Sequence, residues 1–304
     1  MNGYIVFGPN ARLEIGGSFL ASTASSLKFK DNLEFSATDP QSAPLLNINV
    51  PIGLQFGVNP GSVKVLGNGE GTRSLRDPII DTTFGLRVLS NQTLALMGGD
   101  ISLEGATLKT AGGRIELGSV ARENFVSLAR VSKGFTFGYD SVENFENIQL
   151  SKQVAVDASG VGGGDIQVWG ERITLSDDSQ ILANTLRAES GGVMLINAKQ
   201  LLALSGSSQV SSIVNPNALG KGGDLTINTR ELLIKDGAFV NADTFGAGKA
   251  GNLTVNADSI EVASTSVDGH SSSLSSQVNF RATGSAGDLT INTFRCRQRR
   301  KFNR

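Results

Sequence analysis

GGDLTINTRELLIKDGAFVNADT, Gly222–Thr244, decides the fold, because the chain states it more than once. GGDIQVWGERITLSDDSQILANT, Gly163–Thr185, lies beneath it without a gap, 59 positions earlier. The aliphatic positions coincide: Leu225 with Ile166, Ile227 with Val168, Leu232 with Ile173, Ile234 with Leu175, Val240 with Ile181. Within each run they stand two apart, which is the period of a strand with one buried side. A glycine pair opens each copy, and the turn-forming pairs Asp236-Gly237 and Asp177-Asp178 separate the second run from the third.

Further copies start near Val193, Asn252 and Asp288, so the successive intervals from Asp165 are 28, 31, 28 and 36 residues. A period in that range marks a solenoid or an array. Helical repeats would space their apolar residues at 3.6, whereas these runs alternate and are filled by Val, Ile, Leu and Thr. The reading is an all-β chain folded as a right-handed parallel β-helix (β-solenoid), in which a coil buries its aliphatics only against neighbouring coils. The copy GGVMLINAKQLLALSGSSQVSS, Gly191–Ser212, carries one extra residue before Leu202 and Leu204, read as a loop insertion. The register predicts Leu225, Ile227, Leu232 and Ile234 inward, with Thr226 and Lys235 exposed. Gln167, Thr226 and Thr254 then form one outward row, and Trp169, Asn228 and Asn256 the next.

Composition agrees. Gly supplies 37 of 304 residues, and charged residues are 18% against a usual ~25%, which suits tight turns between short strands. A formal net charge of -1 and a pI near 6.0 give no pull toward nucleic acid or anionic membrane. With one Cys (Cys296) and one His (His270), a Cys/His centre, a CxxC metal site and an intrachain disulfide are excluded. No metal or cofactor is implied. No apolar run reaches the ~18 residues of a membrane span, and MNGYIVFGPN lacks the basic and apolar regions of a signal peptide.

The opening NGYIVFGPNARLEIGGSFLAST, Asn2–Thr23, resembles the end of the filamentous haemagglutinin-type, two-partner secretion domain, whose NPNGI-like motif precedes such a segment. PLLNINVPIGLQFG, LALMGGDISLEG, AGGRIELGSV and GYDSVENFENIQLS are similar to large cyanobacterial exoproteins of this group. The resemblance implies a secreted or surface-displayed adhesin, exported by an outer-membrane transporter of the two-partner pathway. It assigns Asn2, Gly3, Ile5, Gly8, Pro9 and Asn10 to a remnant of the secretion motif. Tyr4 interrupts that motif and its first residues are absent, so the resemblance suggests an amino-terminally truncated reading frame. The organisation expected is a secretion-domain remnant at 1–38, coils with irregular insertions at 39–150, regular repeats at 151–293, and an aberrant basic tail at 294–304.

Five of the seven prolines lie between Pro40 and Pro78, where NINVPIGLQFG and SVKVLG read as strands of a looser coil region. Regular coils resume at Thr93, with Leu94/Leu96, Ile101/Leu103 and Ile115/Leu117 as inward pairs. Residues 119–150 hold five aromatics and read as a loop or hairpin covering one side of the helix, or as a binding protrusion. In the tail, six of the last ten residues are Arg or Lys, without the fold or aromatic interleaving of a nucleic-acid arm.

Other chemistry does not assemble. GVGGGD and GAGKAG lack the GxxxxGK[ST] of a phosphate loop, and GGD recurs too sparsely for a calcium nonapeptide array. Asp177-Asp178 occupies a turn, and His270 sits in a Ser-rich loop without triad partners. Trp169, next to inward Val168, faces outward and is the candidate glycan contact, unless it packs on a neighbouring coil. No catalytic residue is proposed. Three functions stay open: an adhesin-like stalk and display surface, a β-helical polysaccharide lyase or hydrolase, and a purely structural envelope component.

Overall fold

The computed structural model describes residues 3–30, 33–39, 50–68, 80–82 and 84–299, and every named element among them is a β-strand. The chain enters as β1 (Ile5–Phe7) and returns as β2 (Phe19–Ser22). A first excursion comprises β3 (Ser26–Phe29), β4 (Glu34–Ser36) and β5 (Pro51–Gln55), after which the coil resumes at β6 (Val63–Leu66) and β7 (Leu86–Arg87). One uninterrupted coil follows as β8 (Thr93–Gly98), β9 (Ile101–Glu104) and β10 (Thr107–Lys109). The next opens with β11 (Arg114–Ser119), is interrupted by the hairpin β12 (Phe125–Val131) and β13 (Gly134–Gly138), and closes with β14 (Ile148–Ser151) and β15 (Ala155–Asp157). Thereafter a coil is one long strand and one short one: β16 (Asp165–Leu175) with β17 (Gln180–Leu182), β18 (Val193–Leu204) with β19 (Gln209–Ser211), β20 (Asp224–Ile234) with β21 (Phe239–Asn241), and β22 (Leu253–Ala263) with β23 (Ser273–Ser275). β24 (Leu289–Arg299) is the last strand among the described residues.

Corresponding strands stack in parallel register and form three faces around a bore, a parallel β-helix. The first face is β2, β8, β11 and the leading halves of the long strands; the second is β1, β6, β9, β14 and their trailing halves. The third is the seven-stranded sheet of β7, β10, β15, β17, β19, β21 and β23. Alternation puts Leu225, Ile227, Leu232 and Ile234 in the bore at 0% exposure, stacked in register on Met194, Ile196, Leu202 and Leu204. The inward pairs of β8, β9 and β11 are likewise buried.

The corner after each second-face strand is set by backbone geometry. Lys152-Gln153, Asp177-Asp178 and Asp236-Gly237 all have positive φ at both residues, as do Gly206-Ser207 in the coil between. These two-residue left-handed turns hydrogen-bond to one another, Gln153 N to Asp177 O at 2.8 Å and Asp178 N to Gly206 O at 2.8 Å. Asp, Asn and Gly tolerate that region best, which is why the two aligned copies carry DD and DG there. Asp177 and Asp178 are therefore turn residues, as their alignment with Asp236-Gly237 implies.

Several expectations need correction. The first and second aliphatic runs of a copy are one continuous strand, because the bend between faces interrupts the ladder only at Arg230 against Asp258 and leaves the register unshifted. The extra residue of the Val193 copy is a β-bulge rather than a loop: the register shifts at Lys199 and Gln200 against both neighbours. Thr226 and Lys235 are half-buried, since strands ~4.8 Å apart shade each other's outward side chains. β6 belongs to a coil as expected, whereas β5 leaves the helix and pairs antiparallel elsewhere. The sheet does not break at Phe294, for β24 pairs with β22 as far as Arg299, with Cys296 in register with Ile260. Asn2, Pro40, Pro44, Pro78 and residues 300–304 of the basic tail lie outside the described residues.

Candidate functional site

Both excursions leave the helix at the same corner, between the first and second faces. They meet outside it: β12 pairs antiparallel with β13 and, through Phe125↔Gln55, with β5, giving a five-stranded sheet in the order β13-β12-β5-β3-β4. This sheet lies over the outer side of the first face and creates a second apolar core. Ala95 and Met97 point away from the bore yet are 0% exposed, because Leu54, Phe56 and Phe137 pack in the cluster above them. The hairpin β12–β13 and its flanks therefore cover one side of the helix, while Ile148–Leu150 of the expected insertion belong to the coil as part of β14.

Gly118 fits this cover. A Cβ there would lie 2.4 Å from both Met97 Sδ and Tyr139 Oη, so the missing side chain makes room for Tyr139, whose hydroxyl donates to Met97 Sδ at 3.2 Å. One strand further along the same column stands Trp169, in register with Gly118. It faces out of the coil as predicted, but its ring is stacked by Tyr139 (4.9 Å, 21°) and Phe145 (5.6 Å, 22°), with Lys199 Nζ 5.8 Å from its centroid. The protein's own aromatics thus use the surface a sugar would need, and Trp169 Nε1 is buried without a hydrogen-bond partner.

The neighbouring outward column carries a buried carboxyl that alternation alone would place in water. Glu116 is 0% exposed; its Oε1 accepts from Arg114 Nε at 2.6 Å and Thr136 Oγ1 at 3.3 Å, while Oε2 has no partner. Burial pushes its carboxyl up to about 7, against the pull of Arg114. Arg114 also reaches Asp165 at 3.2 Å, which Lys133 approaches at 3.5 Å. Burial, then the nearby Glu116, hold the Tyr139 hydroxyl well above its usual range.

Past Trp169 the first face is bare. Its columns continue as Gln167, Leu195, Thr226, Thr254, Thr290 and as Trp169, Asn197, Asn228, Asn256, Asn292. The register confirms the two outward rows and interleaves Leu195 and Asn197 between them. The asparagines form a ladder: Asn228 Nδ2 donates to Asn197 Oδ1, Asn256 Nδ2 to Asn228 Oδ1 and Asn292 Nδ2 to Asn256 Oδ1, each at 2.7 Å. Identical amides one strand apart are held at the spacing where each donates to the next.

The bend between the faces adds residues that the two-run reading passed over. Arg172, Gln200, Arg230, Glu231, Asp258 and Ser259 line a shallow cleft there, with Arg172 Nη1 donating to Gln200 Oε1 at 3.1 Å and Arg230 Nε 3.7 Å from Asp258 Oδ2. Their signal in the sequence is one or two charged residues between two aliphatic runs, recurring in each copy. His270 is exposed in its Ser-rich turn.

Of the motif residues, Gly3 is exposed and its carbonyl oxygen lies only 1.5 Å from where a Cβ on Gly61 would stand, so that approach requires glycine. Ile5 packs against the end of the bore. Gly8, Pro9 and Asn10 make a turn, closed by Ala11 N donating to Gly8 O at 2.9 Å, beside a pocket shared with Phe84 and Gly85.

Stacked parallel coils, with an antiparallel cover built from two excursions, define a β-solenoid protein. The family model of the TPS secretion domain matches residues 2–168, more than half of the chain, and the chain belongs to that family: it is a two-partner secretion exoprotein. The family implies a cognate outer-membrane transporter as export partner and a secreted destination. The match runs well past residue 38 and takes in both excursions and the covering sheet. No curated protein and no solved structure matches the chain.

Proposed function

We propose that this exoprotein is a non-enzymatic, adhesin-like stalk and display surface that acts by surface interaction at the bare part of its first face. The observation that supports this most is the chemistry of the two central rows. From β18 to β24 they carry one Leu, three Thr and four Asn, with no titratable group. A lyase must bring a base and a cation to one substrate carbon in a site that excludes water. The bend cleft favours that second reading, since Arg172, Arg230 and Asp258 meet there. Arg230 and Asp258 are, however, 74% and 60% exposed, a solvated surface ion pair rather than an enclosed centre. In the same reading Gly3, Ile5, Gly8, Pro9 and Asn10 belong to the segment that the transporter recognises. Trp169 anchors the cover beside the binding face.

Purified protein incubated with uronate-containing and neutral polysaccharides is expected to release no unsaturated or reducing sugar while still being retained on cell surfaces. Sugar release that Asp258→Asn abolishes would replace the adhesin with the enzyme.

A further inference from the structure

We infer that the bare Thr/Asn strip of the first face is a docking track for a single extended chain of neutral, β-linked polysaccharide lying along the helix axis; this rests on the surface-interaction reading above. The hydroxyls of Thr226, Thr254 and Thr290 make no hydrogen bond among the described residues, so each can donate and accept outward. Asn228 and Asn256 spend one N–H and one carbonyl direction on the ladder, which fixes their amides and leaves each a second N–H. The strip therefore offers donors and acceptors already held in place, and less ordering is lost when a partner binds.

Repeat and charge select the partner. Successive coils advance by ~4.8 Å, close to one residue of an extended, equatorially linked hexose chain. From Leu195 to Thr290 the strip spans three such steps, ~14 Å, or three to four sugars. Leu195 supplies an apolar patch for a sugar face, and the aromatic ledge of Phe145 and Trp169, with Lys199 over it, closes one end. Asp224 and Asp288 stand at the strand starts beside the Thr row. Asp224 is ion-paired with Lys221 at 3.4 Å, and the two rows themselves carry no charge to hold a polyanion, so a neutral chain is favoured over a polyuronate.

The test is retention of the full chain on amorphous β-1,4-glucan and on chitin, compared with the double variant Thr226→Val/Thr254→Val. Valine keeps volume and strand preference while removing both hydroxyls. A tenfold or greater loss in the variant, with unchanged circular dichroism and melting temperature, and no loss in the second-face control Glu261→Gln, supports the track. Equal retention of variant and parent, or tighter binding to polygalacturonate than to glucan, overturns it. So does a dimer that the double variant dissolves in sedimentation, which would make a second copy the occupant. Cell-surface retention that survives the double variant, alongside equal glucan retention, sinks the track but leaves the adhesin; release of sugar sinks the adhesin itself.

Discussion

Replacing Glu116 by Gln is expected to stabilise the protein at pH 8 and to remove most of its pH dependence between pH 5 and 8. The folded carboxyl sits at about 7 rather than the ordinary 4.5 because it is buried beneath the covering sheet. An acid held higher in the folded state stabilises when protonated. Its contribution is fully present below pH 4.5 and is lost as pH rises through about 7. At ~1.4 kcal/mol per unit the full swing is about 3 kcal/mol. Glutamine stays neutral throughout and keeps an acceptor for Arg114 and Thr136, so Glu116→Gln should lie within about 1 kcal/mol of the parent near pH 5 and exceed it by up to about 3 kcal/mol at pH 8. Urea unfolding followed by Trp169 emission reads this region directly, since Trp169 is the one tryptophan of the chain and stacks on Tyr139 above Gly118. Parent and variant curves that run parallel from pH 5 to 8 would refute the buried, proton-holding Glu116.

The bore register predicts that Ile227→Ala costs about 2–5 kcal/mol in urea unfolding while Thr226→Ser stays within about 0.5; similar costs would mean the alternation is misassigned. Gly118→Ala should displace Tyr139 and cost about 1–3 kcal/mol, with a red shift of Trp169 emission as the ring meets water; an unshifted spectrum counts against the packed cover. β24 exposes Leu289, Ile291 and Phe294 at 43, 40 and 90%, so concentration-dependent association in sedimentation should weaken in Phe294→Asp. Association that is indifferent to that change places the contact elsewhere.

The bore was readable from sequence because each coil repeats one local rule, and Leu225 and Ile166 obey it without reference to anything distant. Fusion of two runs into the single strand β20 was not, since the same alternation results whether or not the backbone bends between them. The covering sheet was harder still. β5 and β12 pair across 70 positions, antiparallel, and share no template that a self-comparison could find. Glu116 follows from that: its alternation says outward, and only the unseen sheet turns outward into buried. Trp169 was assigned its side of the strand correctly, but nothing in GGDIQVWGERITL says that Tyr139 and Phe145 occupy its ring.

The covering sheet has a temporal consequence for folding. Most contacts in a solenoid join adjacent coils, so each coil can close on its neighbour without waiting for anything distant in sequence. The cover is the exception. One edge of β5 stays unpaired, and the cover over Ala95 and Met97 stays incomplete, until Phe125 through Phe145 fold over them. Roughly the first half of this chain therefore completes its outer layer in one late step.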